Sequence, residues 1–324
     1  MNLRQLRYIS AVARHRLNVS ATADSLYTSQ PGVSKQIKLL EDELGLKIFE
    51  RTGRQLTRIT AAGEAIIERA ERALIEIETI RQAAQEFTDP ARGRLTIAAS
   101  HTQARYALPA VIRRFSRRYP DVNIDLLQGT PMQIAELMSN GTVDFAIATE
   151  AMEHFEELLL LPCYHWNRAV VAPLGHPLGG RRPLTLAALA EYPICTYVFG
   201  FSEHSQIDAA FREQGLQPRV TFTASEADII KTYVREGLGV GIVARMACST
   251  EHDSDLLILD AGHLFARATT KIGFRRGTFL REYMYAFMEE FAPHLTREVV
   301  DTALGLGGKP ALDPLFMDIE LPIY

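Results

Sequence analysis

Amide, hydroxyl and ammonium side chains recur at helical spacing between residues 28 and 38. Gln30, Ser34 and Lys38 fall on one side of a predicted helix, while Val33 and Ile37 give its other side an apolar stripe. Donors arranged in this way can contact base edges and phosphates when a helix enters the major groove of DNA. The residues expected to contact DNA from this stretch are Thr28, Ser29, Gln30, Ser34, Lys35 and Lys38.

The helix that carries these donors needs a partner helix and a defined start. Ala23 and Leu26 give the preceding helix a buried side, and Ser29 is a candidate N-cap. Pro31 falls in the first turn, where its missing N–H costs little. Two short helices around a tight turn, of which the second presents donors, are typical of a DNA-reading unit.

A β-hairpin wing is expected behind this helix pair. Residues 48–51 and 55–58 flank the turn at Thr52-Gly53. The wing carries Arg51, Arg54 and Arg58, whose guanidinium groups suit phosphate or minor-groove contact. We therefore add Arg51 and Arg54 to the residues expected to contact DNA.

The charge of the chain is unevenly distributed. Residues 1–58 hold ten Lys or Arg and five Asp or Glu, whereas the whole chain holds 35 and 39. The net charge is therefore +5 for this end and −9 for the remainder. A plain three-helix unit with a solvated charged face is the alternative, but a basic excess confined to one end favours a polyanionic partner.

A long helix without proline is expected from Thr60 to about Phe87. Apolar residues recur there every seven positions in two sets offset by three, which is the pattern of a coiled-coil seam. The seam consists of Ile66, Ala70, Ala73, Ile77, Ile80, Ala84 and Phe87. We expect residues 60–88 to pair two chains. The alternative is one amphipathic helix packed on its own domain, since Ile67 and Leu74 widen the stripe.

Beyond a hinge at residues 89–93, strands and helices alternate. A βαβαβ run covers residues 95–148, and a similar alternation covers residues 194–243. Such runs predict largely parallel sheets with helices on both faces. The expected fold class is therefore α/β, with a winged helix-turn-helix, a linker helix and a two-lobed α/β domain whose cleft lies at the carboxyl ends of the strands.

Ser100, Thr102 and Gln103 lie where a predicted strand gives way to a helix. Their side chains and the N–H groups of the helix start could hold an anion. The alternative is a plain N-cap without a ligand.

No motif in the chain indicates an enzyme or a metal site. The GxGxG at residues 237–241 follows a helix and precedes a strand, the reverse of a dinucleotide-binding turn. Cys163, Cys195 and Cys248 lie far apart, so we expect buried thiols, with a redox sensor as the alternative. We find no nucleophile elbow, zinc motif or P-loop. The chain is expected to need no cofactor and no metal.

Several motifs of the amino-terminal end resemble one family. They are Ala21-Thr22-Ala23, Ser29-Gln30-Pro31, Val33-Ser34-Lys35-Gln36-Ile37, Leu40-Glu41 and Leu44-Gly45, followed by Leu46 to Phe49, Arg51, Leu56-Thr57 and Thr60-Ala62-Gly63. They are similar to the winged helix-turn-helix of LysR-type transcriptional regulators. Residues 101–109, 144–150, 162–168 and 270–276 resemble the branch of that family that controls sulfur assimilation and cysteine biosynthesis genes.

The resemblance also implies a ligand site. Effector domains of this family resemble two-lobed periplasmic binding proteins, and this branch implies N-acetylserine or O-acetylserine as effector, with sulfate as a possible anti-inducer. The residues implied are Ser100, Thr102, Gln103, Thr149, Trp166 and Ser202. Relatives usually carry threonine at the positions of Ser100 and Ser202, so ligand preference can differ. A lone tryptophan is also commonly a core residue.

Partners follow from the same resemblance. They are double-stranded promoter DNA, a small acidic metabolite, further copies of the chain in a homodimer or homotetramer, and RNA polymerase at activated promoters. With no signal peptide and no apolar stretch that could span a membrane, we expect a cytoplasmic protein. A paralogue that senses sulfate or another sulfur-starvation signal, and a ligand-binding module without regulatory output, are the alternatives.

The domain boundaries expected from these patterns are 1–59 for the winged helix-turn-helix, 60–88 for the dimerisation helix and 89–324 for the effector domain. Within the last, the first lobe is expected at about 89–163 and 267–300, and the second at about 164–266. An extension at 301–324 is expected to link flexibly to a short docked segment.

Overall fold

The chain forms two compact units, Met1–Thr88 and Asp89–Tyr324. A computed structural model describes residues 1–53, 55–149, 158–181, 183–198, 206–306 and 314–324. In that part of the chain, no helix is both long and apolar enough to cross a membrane.

The first unit is a three-helix domain with a two-stranded wing and a long final helix. Its elements are α1 (Leu3–Arg14), α2 (Val19–Ser25), α3 (Gln30–Leu44), β1 (Phe49–Thr52), β2 (Gln55–Ile59) and α4 (Ala61–Thr88). Asn2, Asn18 and Ser29 cap the first three helices, each accepting a hydrogen bond from an N–H three residues later. The predicted N-cap at Ser29 is therefore confirmed.

Glu41 joins the wing to α3 from inside the unit. This carboxylate is 1% exposed and accepts hydrogen bonds from the N–H groups of Ile48 and Phe49 at 3.0 and 3.1 Å. Its second oxygen lies 3.4 Å from Arg51 Nη2 and 3.6 Å from Lys47 Nζ. A side chain of α3 thus accepts the backbone hydrogen bonds of the residues that open the wing, and this fixes the first strand of the wing to the helix.

The long helix α4 has two differently packed halves. In its first half Ile67 and Ala70 are buried in the core of the first unit, and Gly63 lies so close to Ile48 that a Cβ would stand 2.1 Å from that carbonyl oxygen. In its second half Ile80 and Phe87 are 67% and 91% exposed. Packing on its own domain accounts for the first half, whereas the exposed half of the predicted seam has no such explanation within its own unit.

The second unit contains two five-stranded sheets. The first sheet has β3 (Gly93–Ala99), β4 (Val122–Gln128), β5 (Phe145–Ala148), β6 (Leu158–Trp166) and β12 (Ala268–Arg275), in the order β4-β3-β5-β12-β6. The second has β7 (Arg168–Pro173), β8 (Ile194–Tyr197), β9 (Val220–Ala224), β10 (Val240–Ala244) and β11 (Leu256–Asp260), in the order β11-β7-β10-β8-β9. We call the two lobes built on them the first and the second lobe.

The helices of this unit follow the strands they cover. A π-helix at Gln103–Ala107 continues directly into α5 (Leu108–Arg118). The others are α6 (Pro131–Ser139), α7 (Leu186–Ala190), α8 (Gln206–Glu213), α9 (Ala227–Arg235), α10 (Glu282–Phe291) and α11 (Arg297–Gly305). The first helix of the predicted βαβαβ run at residues 95–148 therefore exists, but it begins with a π-helix.

The prediction of largely parallel sheets is wrong in part, because both sheets are mixed. The strand β12 runs antiparallel to β5 and β6, and β7 runs antiparallel to β10 and β11. These pairings arise because the chain leaves the first sheet at Asn167 and returns to it after Asp260. Residues 158–161 are all apolar and buried, so the sequence shows no alternation there. Periodicity alone could therefore not predict whether this strand runs parallel or antiparallel to its neighbours.

The three cysteines are buried and free of disulfide bonds, as expected for structural thiols. Burial raises the pKa of the Cys248 thiol to about 11 and that of Cys163 further still. Thiols with raised pKa values are poorly reactive, which argues against a redox sensor at these positions.

A buried ion network holds α9 to the loop that follows β10. Lys231 Nζ, on a side chain 4% exposed, lies 3.0 Å from Asp253 Oδ2 and donates to the Ala247 carbonyl at 2.8 Å. Arg235 Nη2 contacts the other oxygen of Asp253 at 3.0 Å. Burial acts to raise the pKa of Asp253, but hydrogen bonds from the Ser249 N–H, Lys231 and Arg235 outweigh it and hold that pKa below its ordinary value.

Asp253→Asn is expected to lower the free energy of unfolding at pH 7 by about 3 kcal/mol, because it leaves buried Lys231 with less compensation. A carboxylate with a lowered pKa contributes stability that is present above its unfolded-state pKa and lost as the pH falls through its folded-state pKa. The difference between parent and variant should therefore shrink below about pH 4. Urea titrations at pH 7 and pH 3 measure both effects.

Asp255→Asn is the matched control, since Asp255 also pairs with Arg235 but its side chain is 57% exposed. It should stay within about 1 kcal/mol of the parent. Equal losses in the two variants would contradict a special role for the buried network.

Candidate functional site

The exposed face of α3 presents the polar side chains expected from the sequence. Gln30, Lys35 and Lys38 are exposed, and Ser34 is half-buried beside them. Gln30 Nε2 donates to Ser34 Oγ at 3.2 Å, so these two side chains are ordered relative to each other. The opposite face, with Val33, Ile37 and Leu40, is buried in the core.

The turn that precedes α3 adds one residue that apolar spacing does not mark. Ser29 caps the helix through its Oγ, and Thr28 is half-buried next to it. Tyr27 is 97% exposed and has a φ of 49°, a left-handed conformation that is uncommon outside glycine. A large exposed aromatic side chain therefore stands in the turn that precedes α3.

The wing arginines already have acidic neighbours. Arg51 pairs with Glu41 at 3.4 Å, and Arg58 makes two hydrogen bonds to Glu50 at 2.6 and 3.2 Å. The hydrogen bond that Arg58 donates lowers the pKa of Glu50. These guanidinium groups must therefore share or exchange partners to reach a phosphate. Arg54, the third predicted wing residue, lies outside the described residues.

A cleft between the two lobes gathers the other predicted residues. It holds about 680 Å³ of space, part of it open to solvent, and its lining comes from both sheets. The described lining residues are Ser100, His101, Thr102, Gln103, Gly129, Pro131, Thr149, Trp166, Arg168, Tyr197, Ile207 and Ser225. Ser100, Gly129 and Thr149 directly follow β3, β4 and β5, and Ser225 follows β9. The carboxyl ends of the parallel strands thus meet at one cavity, as open α/β sheets require.

Five of the six residues expected to hold the effector line this one cavity. They are Ser100, Thr102, Gln103, Thr149 and Trp166. Ser202 lies outside the described residues. The structure therefore brings these five residues together, and their role in effector binding stays a prediction.

Gln103 is buried and its amide has two side-chain partners. Its Oε1 accepts a hydrogen bond from Tyr164 Oη, and its Nε2 donates to Thr270 Oγ1 at 2.9 Å. An amide nitrogen carries two protons, so a second N–H can serve a ligand. The π-helix that begins at this residue is a rare winding often found at functional sites, and Thr102 at its start makes no capping hydrogen bond.

Trp166 and Arg168 stand on either side of the crossing between the lobes. Trp166 Nε1 donates to Thr149 Oγ1 at 3.3 Å, and the guanidinium carbon of Arg168 lies 5.2 Å from the centre of the indole ring. Arg168 is 5% exposed, and its Nη1 donates to Gln206 Oε1 and the Ala266 carbonyl at 3.2 and 3.1 Å. Arg168 is absent from the residues predicted to bind the effector, although it closes the stretch 162–168 that carries the family resemblance.

Tyr197 supplies a hydroxyl from the second lobe. Burial raises the pKa of Tyr197, and the Ala244 N–H and the Thr102 side chain, both hydrogen-bonded to it, act in the opposite direction. The phenol is therefore neutral at physiological pH, and its hydroxyl can donate a hydrogen bond to Thr102 across the cleft or accept one from it.

Ion pairs close one side of the cleft. Asp228, at the start of α9 in the second lobe, accepts from Tyr106 Oη at 2.8 Å and pairs with Arg105 of the first lobe. His101 Nε2 lies 3.8 Å from Glu226. Partial burial acts to raise the pKa of Asp228, but hydrogen bonds from Tyr106 and Lys231 outweigh it and lower that pKa. The segment that lines the cavity therefore also binds the opposite lobe.

The described lining has the chemistry of an anion site. It offers hydroxyls, an amide and one buried guanidinium, and it includes neither Asp nor Glu. Pro131, Trp166 and Ile207 add an apolar wall. In the described part of the chain, no three His, Cys, Asp or Glu side chains are grouped to hold a metal ion. The arrangement can bind a small acidic molecule with an apolar part.

Both units match known family models. Residues 3–64 match the model described as Bacterial regulatory helix-turn-helix protein, lysR family, and residues 88–296 match the LysR substrate binding domain.

Relatives extend the match to nearly the whole chain. It is 52% identical over 321 residues to the HTH-type transcriptional regulator CysB of Haemophilus influenzae, a match that covers 99% of both proteins. It is 50% identical over 295 residues to the HTH-type transcriptional regulator SsuR of Burkholderia cenocepacia, covering 91% of this chain and 96% of SsuR. These relatives are named as transcriptional regulators and not as enzymes, in agreement with the sequence-based prediction.

Solved structures agree on the fold. The cofactor-binding domain of the Cbl transcriptional regulator is 39% identical, with a TM-score of 0.63, and the match covers 66% of this chain and 93% of that domain. A full-length OxyR variant from Pseudomonas aeruginosa is 23% identical, with a TM-score of 0.65, over 92% of this chain and 98% of OxyR. The second likeness supports the fold alone.

Trp166 is the single tryptophan of the chain and lines the cavity, so its emission should report on occupancy. Titration with N-acetylserine or with sodium sulfate is expected to change the emission in a saturable way, and Trp166→Phe should remove the signal. Arg168→Met should weaken binding by about tenfold or more, since a hydrogen bond to a charged group contributes about 1.5–3 kcal/mol.

Arg219→Met, which changes an exposed arginine of the same lobe, is the matched control and should bind like the parent. If both ligands leave the emission unchanged at millimolar concentration, neither enters this cavity.

Proposed function

The chain belongs to the LysR family of DNA-binding transcriptional regulators, and from this premise we propose that it controls sulfur assimilation and cysteine biosynthesis genes in response to a small acidic effector. The support for these target genes is the similarity, over nearly the whole chain, to regulators named CysB and SsuR. Family membership argues against a ligand-binding module without regulatory output, because the basic helix-turn-helix would then have no use.

One observation supports the proposal that the effector is acidic. Arg168 is buried in the cleft, which five hydroxyl-bearing side chains also line, and no Asp or Glu belongs to the described lining. A buried cation is stabilised by an anion that can form hydrogen bonds with it, and the hydroxyls can complete the anion's hydrogen bonds. A molecule with a net negative charge therefore suits this cleft better than a cation does.

The lining also supports a choice among the candidate effectors. N-acetylserine carries a carboxylate and no ammonium, whereas O-acetylserine carries both, and an ammonium would meet no carboxylate among the described lining residues. The apolar wall of Pro131, Trp166 and Ile207 suits an acetyl methyl group, which sulfate lacks. We therefore favour N-acetylserine, with O-acetylserine and sulfate as weaker ligands of the same cleft.

Ser100, Thr102, Gln103, Thr149 and Trp166 are proposed to bind this effector together with Arg168. Ser202, which lies outside the described residues, stays in the proposed set on the family resemblance. Ser100 and Ser202 lack the methyl groups of the threonines usual in relatives, which leaves room for a different ligand preference.

The DNA contacts are proposed on the surface formed by α3, the preceding turn and the wing. The residues are Thr28, Ser29, Gln30, Ser34, Lys35, Lys38, Arg51 and Arg54, and Tyr27 joins them because it is exposed on that surface. Two copies of the chain, paired through the exposed half of α4, would read two half-sites. A homodimer or homotetramer that contacts RNA polymerase at activated promoters is the proposed assembly.

Regulation then follows from linkage between two sites. A ligand that binds one arrangement of the lobes more tightly shifts the chain toward that arrangement. If that arrangement also changes DNA affinity, DNA must change ligand affinity by the same factor. The Arg105 ion pair and the Tyr106 hydrogen bond to Asp228 are described contacts between the lobes that such a shift would break or strengthen.

Ser34→Ala and Lys35→Ala should weaken binding to a duplex that carries a cysteine-biosynthesis promoter of the source organism. We expect a loss of about tenfold for either variant, since a good base contact contributes about 1–3 kcal/mol. Gel-shift titration measures it, with effector binding unchanged. Arg117→Ala, an exposed arginine of the second unit, is the control. Parent-like affinity in both α3 variants would remove this helix from the interface.

Calorimetric titration of the full chain with N-acetylserine, O-acetylserine and sulfate tests the effector. N-acetylserine should bind most tightly, and Ser100→Ala and Gln103→Ala should each weaken it while DNA affinity is kept. Binding of sulfate alone would favour the paralogue that senses sulfate. Absence of all three heats, with DNA binding intact, would reject this effector class and keep the regulator.

A further inference from the structure

The tail segment, residues 314–324, pairs with the edge of the first sheet through one isolated β-bridge. In that sheet β6 stands at the end of the strand order. Ile323 pairs with His165 as a parallel bridge, in which the His165 N–H donates to the Pro322 carbonyl and the Tyr324 N–H donates to the His165 carbonyl, both at 2.8 Å. The Asn167 N–H donates to the Tyr324 carbonyl at 3.2 Å.

These bonds fall at one place in the fold. Strand β6 ends at Trp166 and β7 begins at Arg168, so the tail segment pairs with the backbone at the point where the chain crosses between the lobes. Alternate residues of a strand point to opposite faces, so Tyr164 and Trp166 lie on one face and His165 on the other. The tail segment thus fixes the backbone on both sides of Trp166.

Tyr164 and Trp166 hold two residues of the effector cleft by hydrogen bonds. Tyr164 Oη donates to Gln103 Oε1, and Trp166 Nε1 donates to Thr149 Oγ1 at 3.3 Å. Gln103 and Thr149 are two of the proposed effector contacts. The same strand therefore orients two ligand-binding side chains from the first lobe.

The Tyr324 ring completes this arrangement from the other side. Its centroid lies 4.8 Å from that of Tyr164, and the two rings meet edge to face at 69°. The centroid of the Phe291 ring lies 5.6 Å from that of the Tyr164 ring. Tyr164 thus packs between the protein core and the tail segment, with its hydroxyl on Gln103.

We propose that residues 322–324 position the effector site, with the Tyr324 ring holding Tyr164 against Gln103 and the backbone pairing holding Trp166 against Thr149. This inference rests on the proposed function in that the cleft binds an effector. Tyr324 is a positioning residue and touches no ligand.

The experiment compares four forms of the full chain: the parent, a variant that lacks residues 322–324, Tyr324→Ala and Tyr324→Phe. Loss of support behind a binding residue commonly weakens binding by about tenfold or more. We expect the deletion to weaken N-acetylserine binding by about tenfold and Tyr324→Ala by a smaller factor. Tyr324→Phe keeps the ring and should bind like the parent.

Three further measurements and one control variant separate positioning from general damage. Thermal unfolding should move by only a few degrees, gel-shift affinity for DNA without effector should be kept, and Met317→Ala, an exposed residue of the tail segment, should resemble the parent. In the ligand-free protein the deletion should shift the emission of Trp166, because the indole loses its fixed place.

The outcomes are distinct. If the parent binds no acetylserine or sulfate, the proposed effector fails, and the Trp166 emission together with amide exchange at residues 164–167 decides the inference alone. Unchanged emission and unchanged exchange in the deletion would overturn it. If the parent binds and the deletion binds equally well, the inference is overturned while the proposed function stands.

Discussion

The crossing of the chain at Asn167 determines the geometry of the cleft between the lobes. One residue separates the last residue of β6 from the first of β7, so Trp166 and Arg168 stand in different sheets yet side by side in the cavity. The Asn167 N–H donates to the Tyr324 carbonyl at 3.2 Å, and its carbonyl accepts from the Arg245 N–H at 2.8 Å. A crossing anchored in this way brings the carboxyl ends of the parallel strands of both lobes to one point.

The short helical segment at 101–106 makes three different kinds of contact. It lines the cavity, and it supplies Gln103 to the network with Tyr164 and Thr270. It also contributes the Arg105 ion pair and the Tyr106 hydrogen bond to Asp228. A ligand in the cavity and the opposite lobe therefore act on the same few residues. The π-winding at Gln103–Ala107 lets one short stretch present groups to both.

The first unit is built around a different constraint, a carboxylate buried in a basic domain. Glu41 satisfies the N–H groups of Ile48 and Phe49 and pairs with Arg51 and Lys47, so the wing and α3 are joined through one side chain. The surrounding surface stays basic, while the second unit carries the acidic excess. A polyanion is thus attracted to the end of the chain that can read it.

Local periodicity, caps and motifs predicted the helix-turn-helix, the basic end and the α/β class, and the family resemblance added most first-lobe residues of the cleft. Four features became visible only in the folded chain: the antiparallel strands, the place of Arg168 beside Trp166, the buried pair of Lys231 and Asp253, and the docking of residues 322–324 on β6. Each of these joins residues far apart in sequence or depends on strand direction, and neither spacing nor composition encodes such pairings. Burial makes these pairings important for stability. A charge or an amide that has been removed from water is stable only if the fold supplies a partner for it.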